Sequence, residues 1–243
     1  LEAAAGLTDT TYAVASLKAD NEDEEIVVRS GANNTRVEGI SGIRYVAPNG
    51  QDSLVNEITG DEAGAVNVPD NNCTQPETAG PCRTLQHALS QALSGGEIRM
   101  ATGTYSDTIT RTVDAGQVIT QMAYINQDVT IQGGYVTTDW EADPPDHPAH
   151  PTVLQPAAGR ALYVASGDVT LERLTLADGD ASGHGGGPSD EDAGGNLYNA
   201  GATLTLNALD VQGGRATLGA GLYHGGGDLT GVLERLAAVI RER

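Results

Sequence analysis

The sequence Asp-Val-Thr-Leu-Glu-Arg-Leu-Thr-Leu at residues 168–176 returns as Thr-Leu-Thr-Leu-Asn-Ala-Leu-Asp-Val at residues 203–211, 35 positions later. Apolar and polar residues alternate within both copies, which is the period of a β-strand with one buried face. A Leu-Tyr dipeptide keeps the same spacing, because it stands at 162–163, at 197–198 and, 25 residues further on, at 222–223. The ten additional residues of the first interval fall in the Gly- and Asp-rich stretch 177–195, where repeat architectures carry surface loops.

A period near 25 residues with glycines at the corners predicts an all-β fold, a right-handed parallel β-helix or solenoid whose coils stack about 4.8 Å apart. The composition agrees with a thin interior and tight corners, since the 243 residues include 32 Gly and no Phe. One helix is predicted in the N-terminal half, over 84–93, because Leu85, Ala88, Leu89 and Ala92 form a single apolar stripe. We expect this helix to cap the N-terminal coil.

Three segments are predicted: an N-terminal segment or cap at 1–42, the β-helix with its cysteine loop at 43–227, and a C-terminal amphipathic helix at 228–243. The repeat offset of 25 predicts apolar residues at positions 231 and 234, but the chain has Gly231 and Glu234 there. A helical stripe fits instead, and it consists of Leu229, Val232, Leu233, Leu236, Val239 and Ile240. This helix would cover the open end of the solenoid, mediate self-association or partner docking, or represent a non-native end.

The charge excludes two classes of partner. With 33 acidic and 13 basic residues the formal net charge is −20, which opposes binding to nucleic-acid phosphates and to anionic lipid surfaces. No stretch of the sequence approaches the roughly 20 apolar residues of a membrane-spanning helix. We therefore expect no nucleic-acid partner and no membrane span.

The two cysteines, Cys73 and Cys82, lie close together in a loop rich in Pro and Gly. The spacing differs from a redox Cys-x-x-Cys motif, and no further soft ligand for a metal stands nearby in the sequence. A disulfide is predicted, with two free thiols as the alternative. A structural disulfide indicates an oxidising compartment, so the expected location is extracellular or the cell surface.

The loop after residue 177 carries a pattern found at the start of calcium-binding loops. Asp178, Asp180 and Ser182 alternate as such ligands do, but Ser189 occupies the position where a bidentate acid would complete the set. A calcium ion held by these three residues is one interpretation, and a solvated acidic insertion is the other. No other cofactor is expected.

Two motifs stand out in the N-terminal half, the loop from Cys73 to the segment Pro81-Cys82-Arg83-Thr84 and the later strand Ala-Thr-Gly-Thr-Tyr at 101–105. Through these motifs, residues 43–230 resemble bacterial secreted right-handed parallel β-helix repeat proteins. The segments 194–199 and 219–224 are similar to the Gly-Gly-x-Ile-like repeats of polymorphic outer-membrane proteins and autotransporter-like adhesin passengers. This resemblance implies the β-helix fold and a structural or adhesive role.

We therefore expect a secreted or cell-surface structural or adhesive protein. Its expected partners are a second copy of the chain, bound through the C-terminal helix or the ends of the β-helix, and a host or surface glycan. The alternative is a carbohydrate-active β-helix that binds or cleaves an acidic polysaccharide, for which Arg160, Arg173 and Asp168 are the nearest candidate groups. The sequence shows no nucleophile elbow, phosphate loop or zinc motif, so a catalytic role is not expected.

Overall fold

The structure of the chain is a computed structural model, and it divides into two compact units, Leu1–Ser41 and Gly42–Arg243. The residues that it describes are 26–30, 33–37, 42–52, 71–76, 80–113, 116–142 and 145–237. In the first unit the strands β1 (Ile26–Ser30) and β2 (Asn33–Val37) form an antiparallel hairpin in which Ser30 pairs with Asn33.

The described part of the second unit consists of fourteen strands and one α-helix. The helix α1 is Leu85–Gln91. The strands are β3 (Ile43–Val46), β4 (Gly96–Ala101), β5 (Gly103–Tyr105), β6 (Ile109–Thr112), β7 (Val118–Ile125), β8 (Val129–Tyr135), β9 (Thr152–Leu154), β10 (Arg160–Val164), β11 (Asp168–Glu172), β12 (Thr175–Ala177), β13 (Leu197–Asn199), β14 (Thr203–Gln212), β15 (Leu222–His224) and β16 (Leu229–Ala237).

Parallel pairing places the sequence repeats side by side. Leu162 of β10 pairs with Leu197 of β13, and Leu197 pairs with Leu222 of β15. In the same way Leu171 of β11 pairs with Leu206 of β14. The offsets of 35 and 25 residues seen in the sequence are therefore the register of the β-ladders.

The larger sheet curls because its longest strand bends. The first half of β14 pairs with β11 and the second half pairs with β12, so the nine strands follow the order β3-β4-β8-β11-β14-β12-β9-β5, with β16 also on β14. At the bend Ala208 has a φ of 51°, and Arg173, 35 residues earlier, turns the chain between β11 and β12 with a φ of 53°. A left-handed residue at each corner redirects the strand, which curls this sheet into a half-barrel.

The interior consists of columns of aliphatic side chains. Ile98, Ile131, Leu171 and Leu206 stand in register on β4, β8, β11 and β14 and are almost completely buried. Each apolar residue thus packs on the equivalent residue of the next strand, and the core runs along the stack of strands.

The helix α1 begins one residue after Thr84, whose hydroxyl accepts a hydrogen bond from the His87 amide at 3.2 Å as an N-cap. It buries Leu85, Ala88 and Leu89 and packs on β3 and β7. The helix is shorter than the predicted 84–93, because Ala92 already has an extended conformation. In the described residues no helix has both the length and the apolar character required to cross a membrane.

The prediction of an all-β, right-handed parallel β-helix is wrong. The described residues form mostly sheet with one helix, in which a parallel sheet curls into a half-barrel beside a five-stranded second sheet, an arrangement closer to an α/β-type fold. That second sheet is mixed, because β6 pairs antiparallel with β7 through a short turn. A repeat period reports which residues become neighbours, but it does not report how the sheets that they form close around the core.

The predicted C-terminal amphipathic helix is also wrong, since 229–237 form β16, parallel to β14. The apolar residues that suggest a helical stripe also fit a strand, because the register shifts by one residue at Ala208 and brings Leu209 opposite Leu233. Gly231 has a φ of 130°, and a Cβ there would collide with the Leu206 carbonyl oxygen. Gly231, one of the two residues that break the predicted repeat, is therefore the residue that lets β16 approach β14 closely. Val239 and Ile240 lie outside the described residues.

Replacing Leu171 with Ala should lower the free energy of unfolding by about 3–5 kcal/mol, because Leu171 is fully buried in the aliphatic column and its removal leaves a cavity. The control is Thr170→Ala on the opposite face of β11, which should cost less than about 1 kcal/mol. Urea denaturation followed by circular dichroism measures both variants. Equal losses for the two variants would contradict the burial of Leu171.

Candidate functional site

Four tyrosines stack in a column on the outer face of the five-stranded sheet. This tyrosine column consists of Tyr124, Tyr163, Tyr198 and Tyr223, from β7, β10, β13 and β15, which the parallel register places side by side. Successive ring centroids are 5.3, 4.7 and 5.5 Å apart, and the planes are within 28° of parallel. Stacks of this geometry contribute about 0.5–1.5 kcal/mol per pair beyond the burial of area, so the column stiffens this face.

Arg111 covers the first ring of the column. Its guanidinium carbon lies 4.1 Å from the centroid of Tyr124, a cation–π contact. The other face of the same ring stacks on Tyr163. Both faces of Tyr124 are thus occupied, and only its edge and hydroxyl remain for a ligand.

An open cleft of about 190 Å³ lies beside this end of the column, between α1 and the strands β6 and β7. Its lining consists of Gln86, Leu89, Ser90, Arg111, Tyr124, Asn126 and Gln127. Among the described residues, the lining therefore contains one cation, three side-chain amides and two hydroxyl groups, and no carboxylate. This set of side chains around an exposed arginine is a distinct local environment in a chain with a net charge of −20.

Two glutamines fix the walls of the cleft. The side-chain oxygen of Gln86 on α1 accepts a hydrogen bond from the Tyr124 amide at 2.8 Å, and the Gln127 side-chain nitrogen donates to the Leu89 carbonyl at 3.0 Å. These bonds join the helix to β7 from both sides. The guanidinium nitrogens of Arg111 have no hydrogen-bond acceptor among the described residues, so they are available to a ligand in the cleft.

The predicted surface loop folds over the outer face of the five-stranded sheet, and we name residues 178–193 the flap. Arg160 holds it with its guanidinium, which donates to the carbonyl oxygens of Ala193 at 3.0 Å, Gly185 at 2.6 Å and His184 at 3.3 Å. The Tyr198 hydroxyl donates to the Gly186 carbonyl at 2.7 Å. The flap is therefore fastened to the sheet through its backbone carbonyls.

Arg160 is completely buried under the flap. Burial lowers the pKa of its guanidinium, while Tyr163, Tyr198 and Asp192 act in the opposite direction. An arginine stays charged in proteins, and this one fastens a loop through neutral carbonyls. Because the Arg160 guanidinium is buried and bonded to the flap, a polysaccharide cannot reach it to use it as a base.

The other two candidate residues of the enzyme alternative lie in the larger sheet, where the Arg173 side chain and the Asp168 backbone amide have structural partners. Arg173 pairs with Glu172 at 2.9 Å, and the Asp168 amide donates to the Asp128 carboxylate at 2.9 Å across neighbouring turns. Arg160 lies on the other sheet. The structure therefore does not bring Arg160, Arg173 and Asp168 together at one site.

The three candidate calcium ligands have protein partners. An Asp178 oxygen accepts from Gln155 at 2.8 Å, and Asp180 accepts from the Ser182 amide at 2.8 Å and faces Arg215 at 3.7 Å. Desolvation opposes ionisation of Asp180, but the Ser182 bonds and the Arg215 charge hold its pKa below the usual range. The described acids of this loop do not bring three ligand atoms within 4.8 Å of one another. Calcium binding here stays a prediction.

The predicted disulfide between Cys73 and Cys82 is confirmed, with the Cα atoms 5.0 Å apart and both side chains buried. A residue missing from the sequence prediction joins it. His87, in the first turn of α1, lies close enough that its ring nitrogen and the two sulfurs are all within 4.8 Å of one another. The signal for this contact was the short distance in sequence between Cys82 and the start of α1.

The described residues among those predicted to form a cap or an assembly surface lie in β16, which pairs with β14 of the larger sheet. Leu229 begins β16 and has 42% of its side chain exposed, while Val232, Leu233 and Leu236 lie further along the same strand. Self-association through this region stays a prediction.

Replacing Arg160 with Met should release the flap, because three backbone carbonyls lose their charge-assisted donor while the length of the side chain is kept. Limited proteolysis should then cut within 181–192 several times faster than in the unchanged protein. Arg83→Met, which removes an exposed arginine that pairs with Asp107 outside the flap, should leave the cleavage rate unchanged. If both variants were cut at the rate of the unchanged protein, Arg160 would not hold the flap.

No family model, curated protein or solved structure matches this chain. The resemblance to secreted bacterial repeat proteins therefore stays a prediction from sequence motifs. The role of the chain has to be inferred from the geometry of the cleft, the tyrosine column and the flap.

Proposed function

We propose that this chain is a secreted or cell-surface binding protein with a structural and adhesive role, and that the cleft beside Tyr124 binds an acidic glycan. The observation that carries the proposal is the lining of the cleft, whose described residues place Arg111 among amides and hydroxyls and include no carboxylate. The volume of about 190 Å³ is smaller than the 300–1,000 Å³ of drug-sized sites, so the cleft suits a single sugar unit.

The chemistry of the lining matches that of a uronate. A guanidinium offers parallel N–H donors that fit a carboxylate in bidentate geometry. Amides such as Asn126 both donate and accept, as sugar hydroxyls do, and Ser90 adds a hydroxyl at the rim. A ligand with one carboxylate and several hydroxyls would therefore find a partner for each kind of group.

The net charge of −20 does not exclude an anionic ligand at this position. At physiological ionic strength the Debye length is about 8 Å, so exposed charges beyond that distance are largely screened. The charges inside the cleft then decide the interaction, and Arg111 is the one charged side chain among its described lining residues. A nucleic acid, in contrast, would place many phosphates against a chain whose net charge is −20.

Two features support an extracellular, structural role. The buried Cys73–Cys82 disulfide is typical of oxidising compartments. On the larger sheet, Glu172 accepts hydrogen bonds from Gln132 at 2.9 Å and Asn207 at 3.0 Å across three strands. Polar side chains that bond one another in this way make a stiff, hydrated surface suited to a structural protein.

A cleaving activity is not proposed, because the cleft lacks the groups that glycoside chemistry uses. Hydrolysis needs a pair of carboxyl groups that face the scissile bond. The part of the cleft lining that the structure describes has no carboxylate, and Arg160 is covered by the flap. Binding without cleavage is the function that this geometry supports best.

Replacing Arg111 with Gln should weaken the binding of oligogalacturonate by about 10- to 100-fold, since a hydrogen bond to a charged group contributes about 1.5–3 kcal/mol. Isothermal titration calorimetry at 0.15 M salt measures the affinity. The matched control is Arg83→Gln, because Arg83 is an exposed arginine that pairs with Asp107 on the surface. The fully methyl-esterified oligomer, which has no charge, serves as the second control. Equal affinity for the charged and esterified oligomers, or unchanged binding by Arg111→Gln, would contradict the proposal.

A further inference from the structure

We propose that reduction of the Cys73–Cys82 disulfide creates a binding site for one zinc ion, held by the two thiolates and the His87 imidazole. In the oxidised protein the sulfurs are bonded to each other and cannot act as thiolate ligands. The proposal concerns the reduced chain and is independent of glycan binding.

The donor atoms already converge. The two sulfurs and a His87 ring nitrogen lie within 4.8 Å of one another. Zinc–sulfur bonds of about 2.3 Å and zinc–nitrogen bonds of about 2.0 Å place tetrahedral ligands roughly 3.3–3.8 Å apart. The sulfurs have to separate and the imidazole has to shift to reach this geometry, and the 5.0 Å between the Cα atoms of the cysteines allows the separation by side-chain rotation.

A fourth donor atom, a backbone oxygen, lies beside the two sulfurs and the imidazole nitrogen. The carbonyl oxygen of Asn71 lies 3.7 Å from the Cys73 sulfur, 3.6 Å from the Cys82 sulfur and 2.7 Å from His87 Nε2. The two sulfur distances match those between neighbouring ligands of a tetrahedral zinc ion, whereas the 2.7 Å contact is a hydrogen bond that has to lengthen when zinc binds. The Asn71 carbonyl or a water molecule can thus complete the coordination.

The backbone around Cys73, Cys82 and His87 is held by hydrogen bonds that do not involve the sulfurs. The Asn71 side chain donates to the carbonyls of Gln51 at 2.7 Å and Gly80 at 2.9 Å, and accepts from the Cys73 amide at 3.0 Å. Asp52 accepts from the Thr84 hydroxyl at 2.8 Å and so fixes the start of α1. The backbone that carries all three ligands therefore has its own support when the disulfide is broken.

The charges balance in the reduced site. Two thiolates neutralise a divalent cation, and the imidazole and carbonyl are neutral, so the occupied centre carries no net charge and can stay buried. Soft thiolates with an imidazole select zinc, whereas calcium requires hard oxygen ligands. The fully buried cysteines are therefore compatible with a metal centre as well as with a disulfide.

The chemistry has two steps. A small dithiol attacks the disulfide, and its two electrons and two protons convert Cys73 and Cys82 to thiols while the reagent closes to a cyclic disulfide. Zinc then binds both sulfurs and displaces their two protons to solvent.

The experiment compares the oxidised and reduced forms of the full chain. The protein is reduced with excess dithiol, freed of reagent without oxygen and titrated with Co²⁺, whose thiolate charge-transfer absorption reports sulfur ligation. Zn²⁺ is then added in competition. We expect one ion per reduced chain, displacement of cobalt by zinc, and no thiolate band in the oxidised chain.

His87→Gln tests the third ligand, and His150→Gln, which changes a histidine of a separate loop, is its matched control. Loss of His87 should weaken zinc binding by more than about tenfold, whereas the control should bind like the unchanged chain. Circular dichroism follows the fold of the reduced protein. Refolding of the reduced chain on addition of zinc would support the site, and an unfolded chain that zinc does not restore would overturn it. Absence of the thiolate band from the reduced chain, or equal affinity of the His87 variant, would also overturn the proposal.

Discussion

The structure depends on parallel pairing between equivalent positions of successive strands. When Leu171 pairs with Leu206, and Leu162 with Leu197, each apolar side chain meets one of the same kind on the next strand. Side chains of one shape pack well in register, and a slip of one residue would turn every buried leucine outward. This constraint fixes the core and also decides which residues line up on the outer face.

The tyrosine column is the outer counterpart of the aliphatic columns. Tyr163 follows the buried Leu162 in β10, so the register that stacks the leucines also stacks the tyrosines. The flap uses the same face, because Arg160 and Tyr198 hold its carbonyls. One register thus positions the core, the column, the flap and the Tyr124 end of the cleft.

The repeat in the sequence predicted the pairing register, and the loop composition predicted the disulfide, because both depend on residues whose relation is local or periodic. The closure of the sheets could not be predicted, since it depends on left-handed corner residues such as Ala208, whose type does not favour that conformation. The sequence predicts a helix where 229–237 form a strand, because the spacing of Leu229, Leu233 and Leu236 fits a helix as well as a strand with a register shift. Pairing with β14 provides backbone hydrogen bonds across strands, whereas an isolated short helix is marginal in water. The cleft joins α1 to β6 and β7, and no sequence pattern links those elements.

Both faces of the Tyr124 ring are covered by other side chains, and this limits how the cleft could recognise the proposed ligand. Aromatic residues commonly bind sugars by offering a ring face, but Arg111 and Tyr163 cover the two faces of this ring. Recognition must then come from hydrogen bonds and charge at the edge of the ring. Such contacts depend on the position of each hydroxyl and carboxylate, so they favour selectivity over tight binding of any single unit. An adhesive surface reaches useful strength by combining many weak contacts of this kind along a polymer, because linked sites raise the effective concentration of the next contact.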